Sequence, residues 1–93
     1  MFKNTANDNS TTNLIQLSPN PAKNTLQIHH TLGTNEQANL KLYNINGHLK
    51  HHLLLEGFGK QSIDVTNYPE GLYLYTLEKE GRILQRNKLL IVK

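Results

Sequence analysis

The sequence predicts an all-β domain, a sandwich or barrel of about seven short strands. Two observations lead there. Runs rich in Leu, Ile, Val, Thr and Tyr recur, separated by turn residues roughly every 8–12 positions. Two dipeptides, Asn46-Gly47 and Glu80-Gly81, mark tight hairpins, because these residue types tolerate positive φ. The chief rival, a helix over 48–55, is disfavoured by the hairpin signal just before it.

Taken in order, residues 1–13 are rich in Asn, Thr and Ser and read as a flexible lead-in or linker. Residues 14–93 form one domain. Its candidate strands are 14–17 "LIQL", 25–30 "TLQIHH", 38–45 "ANLKLYNI", 48–55 "HLKHHLLL", 60–65 "KQSIDV", 71–78 "GLYLYTLE" and 82–92 "RILQRNKLLIV". A two-residue turn at Asn46-Gly47 sets Ile45 opposite His48, Leu42 opposite His51, Leu40 opposite Leu53 and Ala38 opposite Leu55. That register gathers the leucines on one face. A glycine-bulge turn would shift it by one.

Two stiff segments punctuate these runs. In "LSPNPAKNTLQI", Pro19 and Pro21 fix φ and push Ser18 and Asn20 away from helical geometry. Lacking N–H donors, they exclude this stretch from a central strand. Asn20 is expected to close an Asx turn on its own backbone. In "NYPEGLYLYTLE", Pro69 suits a turn and Gly71 the positive φ that ends it. Alternation beyond the turn puts Tyr73, Tyr75 and Leu77 on one face and Leu72, Leu74 and Thr76 on the other. A tyrosine starting a strand after a turn is similar to a tyrosine corner, its ring in the core and its hydroxyl on a nearby backbone group.

Composition narrows the function. The chain has 93 residues, no cysteine and no tryptophan, so disulfides and thiolate metal sites are excluded. The formal charge is +3, but glutamates interrupt the basic residues, which argues against a nucleic-acid footprint. No apolar run is long enough for a transmembrane helix. The N-terminus lacks the apolar core of a secretory signal. The serines lack a nucleophile-elbow context. Asp64 reads as a strand-end carboxylate bonding turn amides. His48 and His52 would lie about 13 Å apart on a strand, too far to share zinc. Histidines on different strands could still meet across a sheet, but the plainer reading of His29, His30, His48, His51 and His52 is surface residues on an edge strand. No catalytic, cofactor or metal site is expected.

Four segments in order, "LSPNPAKNTLQI", "LKLYNINGHLK", "SIDVTNYPEGLYLYTLEKEG" and a terminal "NKLLIVK", resemble the type A C-terminal sorting domain of proteins exported by the type IX secretion system. The resemblance covers roughly 15–93. It implies an immunoglobulin-like antiparallel β-sandwich that is not an enzyme and needs no cofactor. It implies a fused N-terminal cargo directed across the outer membrane, passing through the periplasm to the cell surface or medium. The implied partners are a translocon or shuttle component and a surface sortase that removes the domain. Pro19, Asn20 and Pro21 would form the opening bend, Gly47 the hairpin, and Gly71 and Tyr73 the turn and its core ring; Asp64 falls in the matching "idv" segment. Lys88, Leu89, Leu90, Ile91, Val92 and Lys93 would form the strand on which recognition depends, offering free backbone groups for strand addition. With no export signal at its start, the sequence is expected to be the tail of a longer protein, with the cleavage site within residues 1–13. The competing reading is a carbohydrate- or cell-surface-binding sandwich using an exposed strip of Tyr43, Tyr68, Tyr73 and Tyr75. Burial of Tyr73 discriminates against it.

Overall fold

The structure, a computed structural model, describes residues 14–93, so the expected lead-in at 1–13 lies outside the described residues. Seven strands follow one another: β1 (Ile15–Ser18), β2 (Thr25–Thr31), β3 (Gln37–Asn44), β4 (Leu49–Glu56), β5 (Phe58–Asp64), β6 (Gly71–Lys79) and β7 (Arg82–Ile91). They form a three-stranded sheet ordered β1-β2-β5 and a four-stranded sheet ordered β4-β3-β6-β7. All strand pairs are antiparallel, as in an immunoglobulin-like sandwich. The 48–55 segment is strand, as the hairpin signal predicts.

Period-two alternation builds the core. In β2, Leu26, Ile28 and His30 point inward between exposed neighbours. In β3, Ala38, Leu40 and Leu42 point inward between less buried neighbours, and in β6 Tyr73, Tyr75 and Leu77 point inward, with Thr76 on the other face also buried. With Leu55, Ile63, Val65, Leu89, Ile91 and Ala22 they form one buried cluster. The two sheets each supply one apolar face, and packing them together takes both faces out of water.

The first hairpin reaches the predicted register by a different route. Ala38 faces Leu55, Leu40 faces Leu53 and Leu42 faces His51, as expected. Ile45 does not face His48. The turn spans Asn44 to Gly47 and is closed by the Gly47 N–H donating to the Asn44 carbonyl (3.0 Å). Only Gly47 of its residues has positive φ, at 84°. A two-residue primed turn needs positive φ at its first central residue, here Asn46, and in type I′ at both, so it is not formed. The Asn44 side chain explains the choice: its Oδ1 accepts from the backbone N–H of Asn46 and of His48, both at 2.9 Å. This glycine turn shifts the pairing by one. A bulge at Lys50, where Tyr43 faces Leu49 but Leu42 faces His51, shifts it back. The second hairpin forms as read, with Glu80 and Gly81 both at positive φ.

His30 departs from the surface reading of the histidines. It is buried, and its Nδ1 donates to the Gly57 carbonyl (2.9 Å), which can only accept. Gly59 stands opposite it in β5, and a Cβ there would come within 3.3 Å of the ring. The glycine leaves the space the imidazole fills.

Candidate recognition surface

The opening bend and the last strand meet. Ala22 makes a parallel bridge with Ile91. Its N–H donates to the Leu90 carbonyl and its carbonyl accepts from the Val92 N–H, both at 2.8 Å. Asn20 does not close an Asx turn. Its Oδ1 accepts from the Leu90 N–H (3.0 Å), and its Nδ2 donates to the Lys88 carbonyl (3.2 Å). The Lys88 N–H is bonded by Asn87 Oδ1 at 2.8 Å. From Lys88 to Val92 the outward-facing backbone groups of β7 are therefore occupied. The expectation of a free edge for strand addition fails here, because the bend has already added itself to that edge.

Side chains of the terminal strand divide by alternation. Leu89 and Ile91 are fully buried. Lys88, Leu90 and Lys93 are exposed, and Val92 is half-buried. The Lys93 ammonium is tied down, donating to the carbonyls of Thr66 (2.7 Å) and Val65 (3.2 Å). Of the segment Lys88–Lys93, Lys88 and Leu90 remain for a partner to read from the sheet's outer face. A second clasp joins the two sheets nearby. Gln85 Oε1 accepts from the backbone N–H of Leu14 and of Ile15 (2.9 and 3.2 Å), and its Nε2 donates to the Ile15 carbonyl (3.0 Å). Nothing in the sequence distinguished Gln85, because its role depends on two edges distant in the chain.

The remaining motif residues act locally. The buried Tyr73 donates its hydroxyl to the Pro69 carbonyl at 2.6 Å, completing the tyrosine corner. Burial pushes its phenol pKa up. Tyr68 packs a tilted ring on it, centroids 6.0 Å apart. Gly71 has φ 147°, as its turn requires. Asp64 accepts through Oδ1 from the Thr66 hydroxyl (2.6 Å) and the Thr66 N–H (2.9 Å). These bonds, the hydroxyl's first, hold its carboxyl below the ordinary value near 3.8, and Lys93 adds to the effect. Pro19 and Pro21 are exposed, and both prolyl peptide bonds are cis.

Tyr73 and Tyr75 are buried, so the four tyrosines make no aromatic strip for a sugar. Among the described residues no group of three His, Asp or Glu side chains could hold a metal ion. No helix among them is long and apolar enough to cross a membrane.

What remains is a small β-sandwich whose distinctive bonds lock its last strand in place. The family model described as "Secretion system C-terminal sorting domain" matches residues 16–93, and the chain belongs to that family. It is a C-terminal sorting signal of type IX secretion, which implies a fused cargo, the secretion machinery, and delivery to the cell surface or the extracellular space. No curated protein and no solved structure matches the chain.

Proposed function

We propose that the domain is a non-catalytic address. It carries a fused cargo from the periplasm across the outer membrane, is read there by a translocon or shuttle component, and is then removed by a surface sortase. The family match over 16–93 carries this reading. The structure supports it through the clasp on the terminal strand: Asn20 and Ala22 hold Lys88–Val92 in one fixed presentation. A partner that recognises a preorganised surface loses less freedom on binding than one that must order it.

The test is a fusion of residues 1–93 to a folded reporter with an export signal, expressed in a bacterium that has the type IX system. The reporter should reach the surface or medium, and should stay in the periplasm when the translocon is deleted. Removing Leu89–Lys93 should also strand it in the periplasm. Secretion that continues without the translocon, or normal secretion of the truncated fusion, would refute the proposal.

A further inference from the structure

The outer face of the four-stranded sheet is divided. One half has a polar centre that satisfies itself, with exposed Leu54 and Ile83 at its two margins, in register with Asn39 and Glu78. There Lys41 pairs with Glu78 (3.1 Å), the Thr76 hydroxyl donates to Glu78 Oε2 (3.0 Å), and His52 Nε2 meets Asn39 Oδ1 (2.7 Å). The other half is apolar. Leu49, Tyr43 and Leu74 stand opposite one another across β4, β3 and β6, and Leu72 stands opposite Leu90 across β6 and β7. Ile45 and Leu72 line one shallow cavity of about 200 Å³. The exposures are Ile45 70%, Leu49 50%, Leu72 42%, Leu74 38% and Leu90 40%. Directly opposed residues in a sheet lie about 5 Å apart, so these side chains form one patch. Contiguous apolar patches of this kind on small soluble domains mark interaction sites.

Lysines flank the patch. Lys88 faces Leu74 in register, and Lys50 lines the cavity with Ile45 and Leu72. Neither has an acidic partner among the described residues. Glu70 is the single carboxylate at that cavity. An apolar centre with a charged rim is the anatomy of a protein interface. The sign of the rim selects the occupant. A second copy would bring lysine against lysine, whereas a surface carrying carboxylates around an apolar centre meets both demands. Leu90 and Lys88 belong to the terminal strand, whose edge is already bonded, so this face is where that strand can be read.

Resting on the sorting-signal reading, we propose that the patch formed by Ile45, Leu49, Leu72, Leu74 and Leu90 docks a protein of the secretion machinery that presents an apolar surface ringed by carboxylates. The reporter fusion tests this with L72E/L90E, which puts charge into the patch, and K50E/K88E, which reverses its rim. I83E, at an exposed position in the polar half of the same face, is the control. Far-UV circular dichroism and thermal melts of the purified 93-residue chains establish that each variant is folded. Both patch variants should lower secretion at least tenfold, and I83E should not. Should L72E/L90E fail to fold, the rim variant decides alone. Wild-type secretion by a folded K50E/K88E, or losses equal to those of I83E, overturns the proposal. If patch variants secrete normally while the Leu89–Lys93 truncation does not, the sorting reading stands and the docking surface falls. If the wild-type fusion is not secreted, both fall. Sedimentation velocity at micromolar concentrations adds a further check: a wild-type dimer abolished by L72E/L90E would assign the patch to self-association and overturn the proposal.

Discussion

Replacing Asn20 by alanine removes two hydrogen bonds and almost no buried surface, which makes its effect calculable. The bonds are those from the Leu90 N–H to Oδ1 and from Nδ2 to the Lys88 carbonyl. A typical intramolecular hydrogen bond contributes about 0.5–1.5 kcal/mol net. Both are exposed, so water replaces the lost partners and the low end applies. Asn20→Ala should cost about 1 kcal/mol, which for a domain of this size lowers the melting temperature by roughly 4–8 °C. Native-state hydrogen exchange then locates the loss. The Leu90 amide should lose protection at least tenfold. The Leu89 amide faces β6 in the alternating ladder and should fall only with global stability. Asn20→Asp separates the two bonds, since it keeps the acceptor and removes the donor. Leu90 should stay protected in that variant while stability still drops. Unchanged Leu90 protection in Asn20→Ala would refute the clasp.

Three further outcomes are expected. Tyr73→Phe keeps the buried ring but leaves the Pro69 carbonyl without its 2.6 Å donor, which should cost about 1–2 kcal/mol in urea unfolding; no change would deny the corner its role. Gln85→Ala strips partners from Leu14 N, Ile15 N and the Ile15 carbonyl, and should cost about 2–3 kcal/mol with exchange accelerating first in β1. Asp64 has a folded-state pKa below its ordinary value, so its stabilisation is present above that value and is lost as pH falls through the folded one. Glu78, bonded by Lys41 and Thr76, acts in the same direction. Urea midpoints should therefore fall as pH drops below about 4, and Asp64→Asn should flatten that acid limb; an identical slope in the variant would rule out Asp64 as its source.

Strand positions and inward faces were legible because alternation is local: Tyr73, Tyr75 and Leu77 show it within five residues, and the structure buries all three. The tyrosine corner was legible for the same reason, its donor and acceptor being four residues apart. What could not be read depends on contacts between distant segments. Asn20 and Leu90 are 70 positions apart, and in isolation the commonest bond for such an asparagine is to its own turn. Ser18, Asn20 and Ala22 gave no sign of which strand they would meet. His30 sits in a dipeptide of two histidines and is distinguishable from exposed His29 only by parity and by Gly59 across the ladder. At the first hairpin, two deviations of opposite sense, the glycine turn and the Lys50 bulge, returned the register that a simpler turn predicts.

The bend also explains why its motif carries two prolines around an asparagine. "Leu89-Leu90-Ile91-Val92" is an apolar, β-favouring run on an edge strand, the kind of segment that pairs with other chains when left open. Asn20 and Ala22 turn their bonding groups toward it and occupy Lys88–Val92. Pro19 and Pro21 on either side of Asn20 have no N–H to donate, so the added segment makes a poor template for a further strand. The prolines end the sheet, the asparagine and alanine seal it, and the terminal strand is left readable through the side chains on its face.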